Sequence, residues 1–202
     1  GRVPFAFNWS KADFAILSAH KLGGPKGIGA LIARSGKDFN PLMRGGGQEL
    51  GRRSGTENIV GIAGFGAAAE AAVAELADGV WEKVAERRDF LESTLAAGSK
   101  STIFVGKESE RLPNTSCFAT PGWKGETQVM QMDLAGFAIS AGSACSSGKV
   151  KASRVLGAMG LNDELATCAV RVSMGVTTTD EEIQRFADAW LAAHERMRAR
   201  AA

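Results

Sequence analysis

The sequence predicts an α/β fold. Short apolar runs that are typical of buried strands alternate along the chain with stretches whose apolar residues recur at helical spacing. The chain has 202 residues, of which 45% are hydrophobic and 23% are charged, so it can bury a core without disulfides or metals. Its 25 glycines often fall in clusters, and such clusters indicate tight turns or a close approach of the backbone to a ligand.

The first half of the chain predicts two strands and then a long helical region. Residues 14–17 and 28–33 are apolar runs of strand length, and a glycine-rich turn separates them. The polar, glycine-rich stretch 43–58 predicts a loop. Across residues 59–95 alanine, leucine and valine recur at helical spacing, and Gly79 is expected to divide this region because glycine weakens a helix.

The second half predicts shorter elements. Residues 169–174, "AVRVSM", alternate as a strand does, and the following "TTTDEEI" offers a hydroxyl cap and acidic residues for the first turn of a helix. His194 lies on that last helix, and we expect it at the surface. Strands are predicted at 102–105, 115–119, 137–140 and 169–174, and helices at 126–134, 153–159 and 177–197.

Charge and cysteine content argue against several classes of protein. A formal net charge of +2 is too weak to indicate binding to nucleic acid or to an anionic membrane. No apolar run approaches the roughly 18 residues that a membrane helix needs, and no signal peptide is visible. Cys117, Cys145 and Cys168 are odd in number and widely spaced, so they predict neither a disulfide framework nor a metal site. A reducing, cytoplasmic location is expected.

One lysine is set apart by its neighbours. In "SAHKLGGPKGIGALIAR", residues 18–34, Ser18, His20 and Lys21 follow the first predicted strand, at the edge where α/β sheets place ligand sites. A hydroxyl and an imidazole beside an amine could hold a phosphate or an aldehyde-bearing cofactor, since a lysine in such surroundings can form a Schiff base. At this level the alternative, a solvated surface lysine, stays open.

A cysteine and an arginine are also candidates. Cys145 lies in "GSACSSG", whose small residues predict an exposed loop, whereas Cys117 and Cys168 lie in apolar segments and are expected to be core side chains. Arg171 has a valine on each side in a predicted strand, so its side chain points to the opposite face from both. There it could hold a carboxylate through two hydrogen bonds, or form an ordinary surface salt bridge.

Five segments of the chain, in order, resemble the cysteine desulfurases, which are enzymes dependent on pyridoxal 5'-phosphate (PLP) in the class V aminotransferase superfamily. The lysine segment is similar to the family pattern of serine, any residue and His-Lys, with Gly-Pro-Lys-Gly-hydrophobic-Gly downstream. The other segments are "GGGQELGRRSGTEN", "LPNTSCFATPG", "ISAGSACSSGKVKASRVLGAMGL" and "VRVSMGVTTTDEEI". Their order and rough spacing agree with the family over nearly the whole chain.

The resemblance implies the type I fold of PLP-dependent transferases. Residues 1–75 would be the C-terminal part of the large cofactor domain, 76–100 a linking helix and 101–202 the small α/β domain. The family has a large part of its length upstream of this region, including the aspartate that pairs with the pyridine nitrogen of the cofactor. We therefore expect this chain to be the C-terminal portion of such an enzyme, and whether it is active alone stays open.

The same resemblance implies how the cofactor would be held. Lys21 would carry PLP as a Schiff base, and Ser18 and His20 would bind its phosphate. Thr56 would reach the phosphate of the cofactor in a neighbouring subunit, which makes a homodimer part of the expectation. Hydroxyl, imidazole and backbone N–H groups are the directed donors that a phosphate requires.

The resemblance also implies the reaction. Cys145 would attack the sulfur of L-cysteine, leaving a persulfide on Cys145 and releasing L-alanine, while Arg171 would bind the substrate carboxylate. The sulfur would then pass to an acceptor protein, such as a scaffold for iron–sulfur cluster assembly. Two alternatives stay open: a selenocysteine lyase-like or other class V enzyme, and a non-catalytic fragment that dimerises or accepts sulfur.

Overall fold

The computed structural model describes residues 1–141 and 153–201, and it confirms a mixed α/β architecture. The chain divides into two compact units, Gly1–Gly79 and Val80–Ala202. Gly79 has a φ of 68° and lies between two helices of 19 residues each, so the expectation that it divides the helical region is confirmed. The boundaries proposed at residues 75 and 100 stay predictions.

The first unit is built on an antiparallel hairpin, and both strands agree with the predicted ranges to within one residue. Its register places Phe14 opposite Ala33 and Ser18 opposite Gly29. The elements are β1 (Phe14–Ser18), β2 (Gly29–Ala33), the single helical turn α1 (Gln48–Gly51) and α2 (Ile59–Ala77).

Helix α2 is strongly apolar. Its N-terminus is capped by Asn58, whose side-chain oxygen accepts a hydrogen bond from the Gly61 N–H at 3.0 Å. By length and composition it could cross a membrane, since it has 19 residues with a mean hydropathy of 1.6, so the expectation that no apolar run approaches that length is wrong. One such helix is weak evidence, because core helices of soluble proteins have the same length and composition.

The second unit contains a four-stranded sheet in the order β3-β4-β6-β5, and each neighbouring pair is antiparallel. The predicted strand at 115–119 is confirmed as β4. The elements are α3 (Val80–Gly98), β3 (Ile103–Phe104), β4 (Thr115–Ala119), α4 (Gly125–Leu134), β5 (Ser140–Ala141), α5 (Arg154–Ala158), α6 (Asp163–Ala166), β6 (Ala169–Ser173) and α7 (Asp180–Ala201).

The prediction of a strand at 137–140 is wrong for most of that range, since β5 comprises only Ser140–Ala141. The apolar residues before it follow the end of α4, where the Phe137 N–H donates to the Met132 carbonyl at 2.8 Å. Phe137 then packs edge-on against Phe186, with ring centroids 5.5 Å apart. These residues are apolar because they cover the core, not because they pair in the sheet.

One face of the sheet packs against α3 and α7. Phe118 on β4 is fully buried and meets Trp190 of α7 edge-on, with ring centroids 5.5 Å apart. Leu91 and Leu95 of α3 belong to the same cluster. Each such side chain contributes about 1.5–3 kcal/mol through burial, so this cluster is the main core of the unit.

A buried ion pair ties α3 to the segment that leads into β4. The Glu92 carboxylate is 1% exposed and accepts hydrogen bonds from both terminal nitrogens of Arg111, at 2.7 and 2.8 Å, and from the Ser116 hydroxyl at 2.7 Å. Burial acts to raise the pKa of Glu92, but the hydrogen bonds from Arg111 and Ser116 and the nearby positive charges lower it overall. The carboxylate therefore stays charged and fixes this segment in place.

The expectation that His194 lies at the surface is wrong, because the side chain is only 4% exposed. Helix α7 begins at Asp180, after a capping box in which Thr179 and Glu182 exchange hydrogen bonds of 2.9 and 3.2 Å. His194 follows Phe186 and Trp190 at intervals of four residues, so it lies on the buried face of the helix. Its ring stacks on Trp190 at an interplanar angle of 13°.

Candidate functional site

The predicted cofactor lysine lies on a short, closed turn. Strand β1 ends at Ser18, and a single 3₁₀ turn, Ala19–Lys21, follows directly. Ala19 is fully buried, and its carbonyl accepts hydrogen bonds of 2.9 Å from the N–H groups of Leu22 and Gly24. The backbone around Lys21 is therefore held firmly.

The side chains of this turn face outward. Ser18, His20 and Lys21 are all exposed, while Ala19 between them is the anchor. A hydroxyl, an imidazole and an amine thus lie within four consecutive residues at one end of the hairpin. This donor set suits an anionic phosphate and an aldehyde, so the residues present fit PLP by their chemistry.

Thr56 lies elsewhere in the first unit. It lines an open cleft of about 1000 Å³ together with β2 residues, Arg52 and Arg53, and the residues lining this cleft do not include Ser18, His20 or Lys21. Both arginines are held by local carboxylates, Arg52 by Asp38 and Arg53 by Glu49, each at 3.0 Å.

The cleft is distinct from the lysine turn within the described part of the unit. The predicted contact of Thr56 with the cofactor of a neighbouring subunit stays a prediction, as do the cofactor-binding roles of the residues at the turn.

Arg171 occupies the position that the alternation of its strand predicts. It is exposed on β6, while Val170 and Val172 are buried on the opposite face, at 1% and 7% exposure. In the register of the sheet, Cys117 on β4 and Ser140 on β5 are its direct partners. Because residues that oppose each other across antiparallel strands share a face, a thiol and a hydroxyl flank this guanidinium.

Cys117 is the neighbour that sequence reasoning missed. Its thiol is half-buried against the apolar cluster that includes Leu156 and Ala169. Burial raises the pKa of Cys117, and the positive charge of Arg171 offsets part of that rise. The thiol therefore stays neutral beside the arginine. The expectation that Cys117 is a core side chain is therefore not met in full, because the thiol packs on an apolar cluster but is only half-buried. Only the register of the sheet shows that Cys117 and Arg171 are partners.

The other two cysteines differ in what the structure describes. Cys168 is 1% exposed, as expected of a core side chain. The proposed nucleophile Cys145 lies outside the described residues, and its role stays a prediction. Lys21 belongs to the first unit and Arg171 to the second.

Comparison with known proteins gives a family match over most of the chain. Residues 1–186 match the family model described as "Aminotransferase class-V". A cysteine desulfurase from Cereibacter sphaeroides is 44% identical over 186 residues, which cover 92% of this chain and 47% of that protein. The chain spans about half the length of the curated relatives it matches.

Solved structures match over similar lengths. A NifS-like protein from Rickettsia africae ESF-5 aligns with a TM-score of 0.84 at 32% identity, over 96% of this chain and 51% of that one. A structure described as SspA in complex with cysteine aligns with a TM-score of 0.57 at 30% identity, over 83% of this chain and 45% of that one.

Proposed function

The chain belongs to the class V aminotransferase family, and from that premise we propose that it forms the C-terminal portion of a PLP-dependent cysteine desulfurase. The observation that carries the proposal is the exposed Lys21 on a closed turn directly after a strand, with a hydroxyl and an imidazole beside it. Two comparisons support the choice of substrate: the relative from Cereibacter sphaeroides is named a cysteine desulfurase, and SspA was solved with cysteine.

In this proposal the first unit holds the cofactor. Lys21 attaches PLP through its amine, while Ser18 and His20 donate hydrogen bonds to the phosphate. When bound, PLP supplies an electron sink that weakens bonds around the α-carbon of an amino acid. The closed turn supports this role, because the amine of the lysine must be held in a fixed position to react with the aldehyde of the cofactor.

The second unit binds and attacks the substrate. Arg171 holds the carboxylate of L-cysteine, and its position on an exposed sheet face beside two uncharged partners leaves the guanidinium available for an anion. The Cys145 thiolate attacks the substrate sulfur, so that an S–S bond forms as the C–S bond breaks. The carbon that loses sulfur takes up a proton, which gives L-alanine, and Cys145 is left as a persulfide.

The proposal also includes the oligomeric state of the protein and the acceptor of the sulfur. Thr56 lines a cleft separate from the lysine turn, which supports a role toward the cofactor of a second copy in a homodimer. The persulfide sulfur passes to an acceptor protein for iron–sulfur cluster or other sulfur-cofactor synthesis in the cytoplasm. A selenocysteine lyase-like activity is the alternative, and relative rates on cysteine and selenocysteine separate the two.

The cysteines provide a direct test. We expect Cys145→Ser in the full-length protein to abolish alanine formation from L-cysteine, whereas Cys117→Ser and Cys168→Ser keep it within a few-fold, because only one thiol accepts sulfur. Peptide mapping after reaction with cysteine should find the persulfide on Cys145. Persulfide on Cys117 or Cys168, with none on Cys145, would show that the nucleophile is assigned wrongly.

A further inference from the structure

The turn that carries Lys21 rests on one face of helix α2. Gly64 of α2 lies so close to Pro25 that a Cβ placed on this glycine would be 2.6 Å from the Pro25 Cγ and 3.0 Å from its Cδ. Real Cβ atoms essentially never approach another atom within 3.0 Å, so no side chain fits at Gly64 without movement. Pro25 follows Lys21 by four residues and belongs to the same connection between the two strands.

A second contact ties the same turn to the same helix. A Cβ placed on Gly24 would lie 3.1 Å from the Cβ atoms of both Ala19 and Ala68, so the backbone of the turn fits between its own anchor and α2. The Gly24 N–H in turn donates to the Ala19 carbonyl at 2.9 Å. The backbone that presents Lys21 is thus bounded by α2 on one side and by its own hydrogen bonds on the other.

We propose that Gly64 is a positioning residue for Lys21. Its missing side chain lets α2 approach Pro25, and this contact sets the place of the turn from which the lysine amine projects. The functional meaning of that position rests on the proposed attachment of PLP to Lys21, but the contact itself concerns only residues of this chain. Gly64 acts through Pro25 and the turn, and it touches neither cofactor nor substrate.

A methyl group at position 64 should displace the turn. A rigid pyrrolidine ring cannot rotate away, so the turn must move by several tenths of an ångström or more to reach ordinary contact distance. Displacements of about 1 Å at a reacting group can cost about a hundredfold in rate. Gly66 is the matched control, since it lies on the same helix and a Cβ there meets nothing within 4 Å among the described residues. Both substitutions give the helix the same gain in propensity.

The first readout needs no cofactor. Amide hydrogen exchange of the full-length protein reports how well the N–H groups of Leu22 and Gly24 are protected by their hydrogen bonds to the Ala19 carbonyl. We expect exchange about tenfold or more faster in Gly64→Ala than in wild type, and no such change in Gly66→Ala, because overpacking destabilises a close contact. Equal exchange in the two variants overturns the proposal.

The second readout follows cofactor attachment. With PLP and borohydride, the rate at which Lys21 is labelled should fall about tenfold or more in Gly64→Ala but not in Gly66→Ala. If wild-type Lys21 is never labelled, the proposed function fails, and the exchange experiment alone then decides whether Gly64 positions the turn. If wild type is labelled and Gly64→Ala is labelled equally fast, the positioning role is wrong.

A double variant covers the case in which Gly64→Ala does not fold. Pro25→Ala removes the ring atoms that the new methyl group would meet, so Pro25→Ala/Gly64→Ala should fold and exchange as Pro25→Ala does. A double variant that also fails to fold, or whose two effects simply add, overturns the proposal.

Discussion

At the scale of single residues, Arg171 shows how a strand with a buried face exposes a charged group for binding. Its two valine neighbours are buried, so the strand is fixed by the core while the guanidinium stays at the surface. Its direct partners across the sheet are Cys117 and Ser140. A carboxylate at either position would compete with an anionic substrate for the arginine, whereas a neutral thiol and a hydroxyl do not.

Replacing Arg171 should weaken substrate binding. In the full-length protein we expect Arg171→Ala to raise KM for L-cysteine by about 10- to 100-fold, because a charge-assisted pair of hydrogen bonds is lost. We expect a smaller change in kcat. Arg171→Lys should lie between, because an ammonium cannot form the paired hydrogen bonds. Arg196→Ala, at an exposed position on α7, is the control and should leave KM unchanged. An unchanged KM in Arg171→Ala would remove the arginine from the substrate site.

At the scale of elements, helix α7 buries a histidine among aromatic rings. The His194 ring lies 5.3 Å from that of Trp190 and 5.7 Å from that of Trp123, and its Nε2 is 3.4 Å from the Ser99 hydroxyl. Desolvation lowers the pKa of His194, and the positive charge of Arg198 lowers it further. The neutral ring is therefore the form that the folded unit favours.

The stability of the protein should consequently fall in mild acid. The pKa of His194 is lower in the folded chain than the ordinary value of 6.5, so the unfolded chain takes up a proton first as the pH falls. The contribution of His194 to the free energy of unfolding is therefore fully present above pH 6.5 and is lost as the pH decreases below 6.5. Urea midpoints followed by tryptophan fluorescence should decrease between pH 7.5 and 5.5, well above the ordinary range for carboxylates. His194→Phe should reduce this decrease; the same decrease in the variant would assign it to other groups.

How far the sequence predicts each element depends on how local its causes are. The two strands of the hairpin follow from contiguous apolar runs, so their bounds are predicted to within one residue. The prediction of a strand at 137–140 is wrong because an apolar run that covers a core looks the same in sequence as one that pairs in a sheet. His194 could have been placed correctly from its spacing to Phe186 and Trp190.

The residues of the candidate site also differ in whether local sequence is enough to predict them. Motifs single out Lys21, Cys145 and Arg171, and the exposure of Arg171 follows from strand alternation. The contact between Gly64 and Pro25 and the pairing of Cys117 with Arg171 join residues far apart in the chain, so only the packing of α2 and the register of the sheet reveal them.

At the scale of the whole molecule, the two units differ in how much apolar surface they bury. The second has an extensive core around Leu91, Phe118 and Trp190, whereas the first leaves Trp9 at 87% and Ile16 at 83% exposure within the described residues. Burying such surface is worth about 25 cal/mol per Å², so any polypeptide that covers the hairpin and α2 would stabilise the first unit.

The proposed function depends most directly on the attachment of PLP to Lys21. The decisive measurement is peptide mapping of the full-length protein after incubation with PLP and reduction with borohydride. We predict a pyridoxyl-phosphate adduct on the peptide that contains Lys21, located on that lysine and not on Lys26, which is exposed on the same connection. An adduct on Lys26 alone, or no adduct on this segment, would contradict the account.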